Sequence, residues 1–180
     1  MRDVLLRALD SANSLHRAGG ACALGRYGGE AIARALCVRL LVATDSAVLE
    51  CLIKYEGYGA ARLADQVLPR LAELLATVTE PGLRVTIARS LGQFDGAAVT
   101  LLAPRLDETA LRHVAVKSLS RIGRVRGLAP LASLMAQTGA YHTRREIRAA
   151  IRAIVKRTSW AQPHAPSTET QEVIQRRIDV

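Results

Sequence analysis

Aromatic side chains are scarce in this chain: one Trp, one Phe and four Tyr among 180 residues. A core must therefore be assembled from Leu, Ile, Val and Ala at close helix-to-helix approach, and that composition predicts an all-α fold. Long apolar runs are missing as well. The stretch ALCVRLLVA, Ala35 to Ala43, is broken by Arg39 and falls far short of the roughly 20 residues that a spanning helix needs. The first residues, MRDVLLRALDSANS, carry Asp3 and Asp10 and no sustained apolar stretch of the kind a signal peptide requires. Cysteine is limited to Cys22, Cys37 and Cys51, an odd number set far apart in apolar helical stretches, which predicts three reduced, buried thiols in a cytoplasmic protein. The four histidines, His16, His113, His142 and His164, are dispersed. No His-x-x-x-His, Cys-x-x-Cys or His-Glu pairing occurs, so neither zinc nor a di-iron centre finds its ligand spacing and no cofactor is expected. The GRYGGE segment at Gly25 to Glu30 lacks the Gly-Lys-Ser/Thr ending of a phosphate loop and follows a helix rather than a strand; it is read as a turn.

What the chain has in quantity is aliphatic material, 49% hydrophobic residues, enough for a continuous core. It is arranged periodically. Leu24, Leu52, Leu91 and Leu119 recur at spacings of 28, 39 and 28, each followed three residues later by Tyr27, Tyr55, Phe94 and Ile122. Around them apolar residues fall at i, i+4 and i+8, as in Leu83, Ile87, Leu91 and in Leu111, Ala115, Leu119, which is the helical period. Glycines follow each copy, at Gly28 and Gly29, Gly57 and Gly59, Gly96, and Gly123 and Gly127, where a tight turn into a second helix needs backbone freedom. Repeats of this length cannot bury their apolar face singly, so they predict an α-solenoid, an armadillo-like right-handed superhelix of helical hairpins.

The expected limits are a half-repeat at 1–16, repeats at about 17–45, 46–82, 83–110 and 111–141, a last helix at 144–157, and a polar linker and short tail at 159–180. The half-repeat implies either a terminal cap or one portion of a longer array. The 39-residue spacing places about eleven extra residues in the second pair, assigned to a longer helix around Ala60 to Val78 and the loop after it, with Pro69 kinking that helix. Pro104 and Pro130 lie in the first turns of their second helices. Arg17, Arg84 and Arg112 align near the starts of three first helices, and with the four leucines they are assigned structural roles, the arginines bonding to the acid or carbonyl of a neighbouring repeat, with Asp107 and Glu108 well placed in the loop before Arg112.

The segments LRVTIARSLGQFDGAAVTLLAPRLDET and LRHVAVKSLSRIGRVRGLAPLASLM resemble HEAT repeats of the short bacterial type also found in phycobilisome lyase subunits. The resemblance covers about Arg17 to Arg157 and weakens in the second repeat, where Asp45 replaces the early arginine. It implies a scaffold that binds proteins, with a bilin lyase subunit as a minor alternative for which no chromophore site is legible. An enzyme is not the favoured reading. HEAT-like deoxyhypusine hydroxylase depends on His-Glu pairs that are missing here, and no pattern of the HEAT-like DNA glycosylases carries over.

Charge separates the remaining readings. The net charge is +9, and the excess is C-terminal: residues 1–90 hold 11 bases and 9 acids, residues 91–180 hold 14 and 7. Arg144, Arg148, Arg152 and Lys156 follow at i, i+4, i+8 and i+12 and form one stripe along the last helix, with Arg124, Arg126 and Arg145 nearby. Like charges at that spacing repel by a few tenths of a kcal/mol per pair, roughly, which an anionic partner relieves. The expected function is a non-catalytic scaffold in the bacterial cytoplasm that binds an acidic protein, its second helices lining the concave surface. Nucleic acid bound through the same stripe is the alternative, although only Tyr141 and Trp160 lie close enough to stack on bases.

Overall fold

A computed structural model describes residues 1–60 and 62–161. Among these residues the chain is all-helical, with no strand. It divides into two compact units, Met1–Phe94 and Asp95–Val180.

The first unit contains α1 (Arg2–Ala8), α2 (Ser14–Tyr27), α3 (Glu30–Val42), α4 (Ser46–Ile53), α5 (Gly57–Ala60), α6 (Ala64–Thr77) and α7 (Pro81–Ser90), which runs into a 3-10 turn at Leu91–Gln93. Helix starts are set by side chains that take up the orphan amides of the first turn. Asn13 Oδ1 accepts from the amides of Leu15 and His16, and Asp45 Oδ1 from those of Ala47 and Val48. Pro81 opens α7, where its missing N–H costs nothing. Within the unit α2 packs on α4, α4 on α7 and α3 on α6, so first helices meet first helices and second helices meet second helices.

The second unit contains α8 (Ala97–Leu102), a 3-10 turn at Ala103–Leu106, α9 (Thr109–Ile122), a 3-10 turn at Val125–Gly127, α10 (Leu128–Gln137) and α11 (Tyr141–Ala161). Pro104 explains why α8 is short: with no N–H to offer Thr100, the α-helical ladder stops at Leu102 and tightens. Helices α9 and α10 both pack on α11. Gly123 closes α9 in the left-handed region at φ 67°, which favours glycine, and a Cβ there would sit 2.9 Å from Arg157 Cδ and push that side chain aside.

All four leucines of the repeat are fully buried, at 0% exposure. Their partners diverge: Tyr55 and Phe94 are buried, Ile122 is half-buried, and Tyr27 is 55% exposed.

Two expectations are corrected. No helix runs from Ala60 to Val78: α6 is a 14-residue helix of ordinary length, and the extra residues form short α5 and a turn in which Arg62 adopts φ 56°. A left-handed residue cannot continue a right-handed helix, so the insertion becomes a corner, not a longer rod. Pro69 lies inside α6. The three thiols are not all free either. Cys22 on α2 and Cys51 on α4 are joined as a disulfide, with Cα atoms 5.2 Å apart, and only Cys37 remains a thiol. Parallel stacking of α2 on α4 causes this, because a sequence separation of 29 is nearly the repeat spacing and lands both sulfurs at matching heights. The expected linker and tail at 159–180 lie, beyond Ala161, outside the described residues.

Candidate functional site

Helix α11 carries the basic stripe, and its burial follows from helical geometry. Four residues advance a helix by about 400°, so each successive stripe residue sits about 40° further round. Ile147, Ala150, Ile151 and Ile154 point into the second unit. The stripe therefore begins beside them at half-buried Arg144 and Arg148 and turns outward to exposed Arg152 and Lys156. Arg145 is exposed on the other side. The 3-10 turn that holds Arg126 packs on α11, and both Arg124 and Arg126 are exposed.

The acid nearest in sequence does not neutralise the stripe. Glu146 Oε2 lies 2.8 Å from His113 Nδ1 and so ties α11 to α9. The Nε atoms of Arg144 and Arg148 are buried without a hydrogen-bond partner, and among the described residues no carboxylate pairs with either side chain. Arg157 is different. Its Nη1 donates to the carbonyls of Ser120 and Arg121 at 2.9 and 2.6 Å and thereby caps the end of α9.

Two of the recurring arginines likewise bond to backbone. Arg17 Nη1 donates to the carbonyls of Ser11 and Ala12 at 2.8 and 2.9 Å. Arg112 donates through Nε to Leu106 O at 2.9 Å and through Nη2 to Asp107 O at 3.3 Å. Asp107 is thus used through its main-chain oxygen. Arg84 is half-buried on α7. Arg70, not singled out in the sequence, performs a similar task between second helices: from α6 it reaches the carbonyls of Leu40 and Ala43 at the end of α3.

In the first unit an open cavity of about 830 Å³ is lined by Cys22, Cys51, Tyr55, Arg26, Lys54 and Arg62, among others. Behind it Tyr58 is 1% exposed, and its hydroxyl donates to Leu52 O at 2.9 Å. Burial pushes this phenol well above its ordinary value of 10.0, and Cys37 and Tyr55 push the same way. Burial also raises the Cys37 thiol.

A consequence for alkaline stability follows. The folded chain holds the Tyr58 proton to higher pH than the unfolded chain does. Its contribution is therefore complete below about pH 10 and is lost as pH rises from there, with a slope approaching about 1.4 kcal/mol per pH unit. Tyr58→Phe should cost about 1 kcal/mol at pH 7 through the lost hydrogen bond, and its stability should fall less steeply than that of the wild type above pH 10. Urea midpoints measured from pH 7 to 11 check this; parallel curves refute it.

Among the described residues no group of three or more His, Cys, Asp or Glu is placed to hold a metal ion, and no helix is long and apolar enough to cross a membrane. The family comparison matches residues 123–158, the segment from Gly123 through most of α11, to the Smoothelin cytoskeleton proteins. The match spans 36 of 180 residues and is a local likeness. The resemblance to HEAT repeats is not upheld: no HEAT-repeat family matches the chain, and the likeness that is found overlaps the segment LRHVAVKSLSRIGRVRGLAPLASLM only from Gly123 onward. A buried leucine every turn or so, followed by a glycine, is what any packed helical hairpin requires, so that pattern reports packing and not descent. No curated protein matches the chain.

Proposed function

We propose that this chain is a non-catalytic helical scaffold that binds an acidic protein surface through the arginine face of α11. The carrying observation is the run of Arg144, Arg148 and exposed Arg152 along a helix whose one acid is engaged with His113. Guanidinium groups suit the task because their planar forks take carboxylates two bonds at a time. The packing order of first helix on first helix and second on second in the Met1–Phe94 unit supports reading its hairpins as solenoid-type stacks. The local likeness to a cytoskeletal family over 123–158 covers most of this helix.

The test uses Arg144→Gln, Arg148→Gln and Arg152→Gln together, which keeps the aliphatic stems and removes the charge. A fluorescent polyglutamate peptide should bind the wild type and lose affinity by about tenfold in the triple variant. Equal affinity removes the stripe from the reading. Nucleic acid is the competing occupant: tighter binding to a DNA duplex than to the peptide, with a steep fall in log affinity against log salt, replaces the protein partner by phosphates.

A further inference from the structure

The disulfide is not buried in a core, where a purely structural clasp is best protected. Cys22 is exposed and Cys51 half-buried, and both sulfur-bearing residues line the 830 Å³ cavity of the first unit. Basic residues are set around them. Arg26 follows Cys22 by one helical turn on α2, Lys54 follows Cys51 by three residues at the end of α4, and Arg62 closes the cavity from the left-handed corner that the sequence insertion creates. The lining also holds two acids, Glu30 and Glu56; Glu30 is paired with Arg34 at 2.5 Å, and Lys54 is paired with Glu50 at 2.6 Å. Among the described residues no ion pair engages Arg26 or Arg62. An open disulfide thus shares its cavity with more basic than acidic side chains, Arg26, Lys54 and Arg62 against Glu30 and Glu56, and the cavity is wide enough for a small molecule.

We propose that Cys22–Cys51 is a thiol–disulfide exchange site for small anionic thiols, which the cavity draws in by charge. The incoming thiolate attacks Sγ of the more exposed Cys22. A new S–S bond forms between it and Cys22 while the Cys22–Cys51 bond breaks, and the electron pair leaves on Cys51 Sγ as a thiolate, which then takes a proton from water. The thiolate of a second molecule attacks the small-molecule sulfur of the mixed disulfide and releases Cys22 as a thiolate, which also takes a proton from water, so two small thiols are oxidised to their disulfide and the protein disulfide is reduced to two thiols. Arg26 and Arg62 act on the first step twice: they raise the local concentration of an anionic thiol, and they favour the anionic charge carried in the attack. Cys37 takes no part, being buried and having a raised pKa.

The experiment compares glutathione, 2-mercaptoethanol and cysteamine, which are anionic, neutral and cationic at neutral pH, as reductants of the oxidised protein. Rates are followed by mass spectrometry after acid quench and are normalised to thiolate concentration. Glutathione should open the disulfide about tenfold or more faster than cysteamine, with a glutathione adduct on Cys22 as the first product. Arg26→Gln with Arg62→Asn should shrink that ratio to about twofold; Asn is chosen at 62 because it tolerates the left-handed region. Both positions are exposed, and a circular-dichroism melt confirms that the variant folds. Rates that follow thiol basicity alone, or a ratio unchanged in the variant, overturn the proposal. So does an air-oxidised protein in which denaturation exposes three free thiols.

Discussion

Leu24→Ala should lower the free energy of unfolding by about 3–4 kcal/mol, whereas Tyr27→Ala, three residues on, should change it by less than about 0.5 kcal/mol. Leu24 is fully enclosed between helices of the first unit, so removing three carbons leaves a void that neighbours fill only in part. Tyr27 ends α2 just before Gly28 turns to φ 66°, and its ring stands 55% exposed. At the third copy the same two positions behave alike. Leu91 is at 0% and Phe94 at 4% exposure, so Leu91→Ala should cost about 3–4 kcal/mol and Phe94→Ala about 3–5 kcal/mol. The difference lies in the turn. Phe94 follows a 3-10 turn with extended backbone at ψ 172°, which sends the chain and ring inward, while the two glycines after Tyr27 let the chain leave directly. Urea unfolding of the four alanine variants decides it, and a Tyr27 effect as large as that of Phe94 would show that the pair is a single packing unit.

The same contrast shows what a sequence of this kind discloses. The leucine series was legible because burial at a fixed helical height leaves a periodic mark, and all four positions are closed to solvent. The all-helical fold was legible for the same reason. Two further arginines were not. Arg70 and Arg157 do their work on main-chain carbonyls, which every residue has, so nothing in the letters of Leu40, Ala43, Ser120 or Arg121 marks them as partners. The stripe of α11 was visible as a spacing, but its gradual turn from half-buried Arg144 to exposed Arg152 depends on which side Ile147 and Ile151 face, and that is decided by packing on α9 and α10. The insertion of eleven residues was visible as a length, yet its conversion into a corner depended on one backbone angle at Arg62. The disulfide did leave a signal. Cys22 and Cys51 are separated by 29 residues where Leu24 and Leu52 are separated by 28, so stacked copies bring them together; counting cysteines by number and apolar context discards that register.

Removing that disulfide should cost about 3–4 kcal/mol, and the loss should arise mainly in the unfolded chain. A link between positions 29 apart restrains the denatured segment that contains all of α3, and chain-entropy reasoning for a loop of that size gives about 3.5 kcal/mol. Little of this comes from native packing: Cys22 is exposed and Cys51 half-buried, so Ser in place of either leaves no deep cavity. Two signatures separate this account from a simple loss of contacts. First, Cys22→Ser, Cys51→Ser and the double variant should all fall by the same amount, because one bond disappears in each; additive losses would instead point to separate side-chain contributions. Second, the denaturant slope should rise in all three, since an unlinked chain expands further and exposes more surface. Reduced wild type should coincide with the variants. Unchanged slopes together with a loss below about 1 kcal/mol would mean that α2 and α4 hold each other through Ala21, Leu24, Val48 and Leu52 without help from the bond.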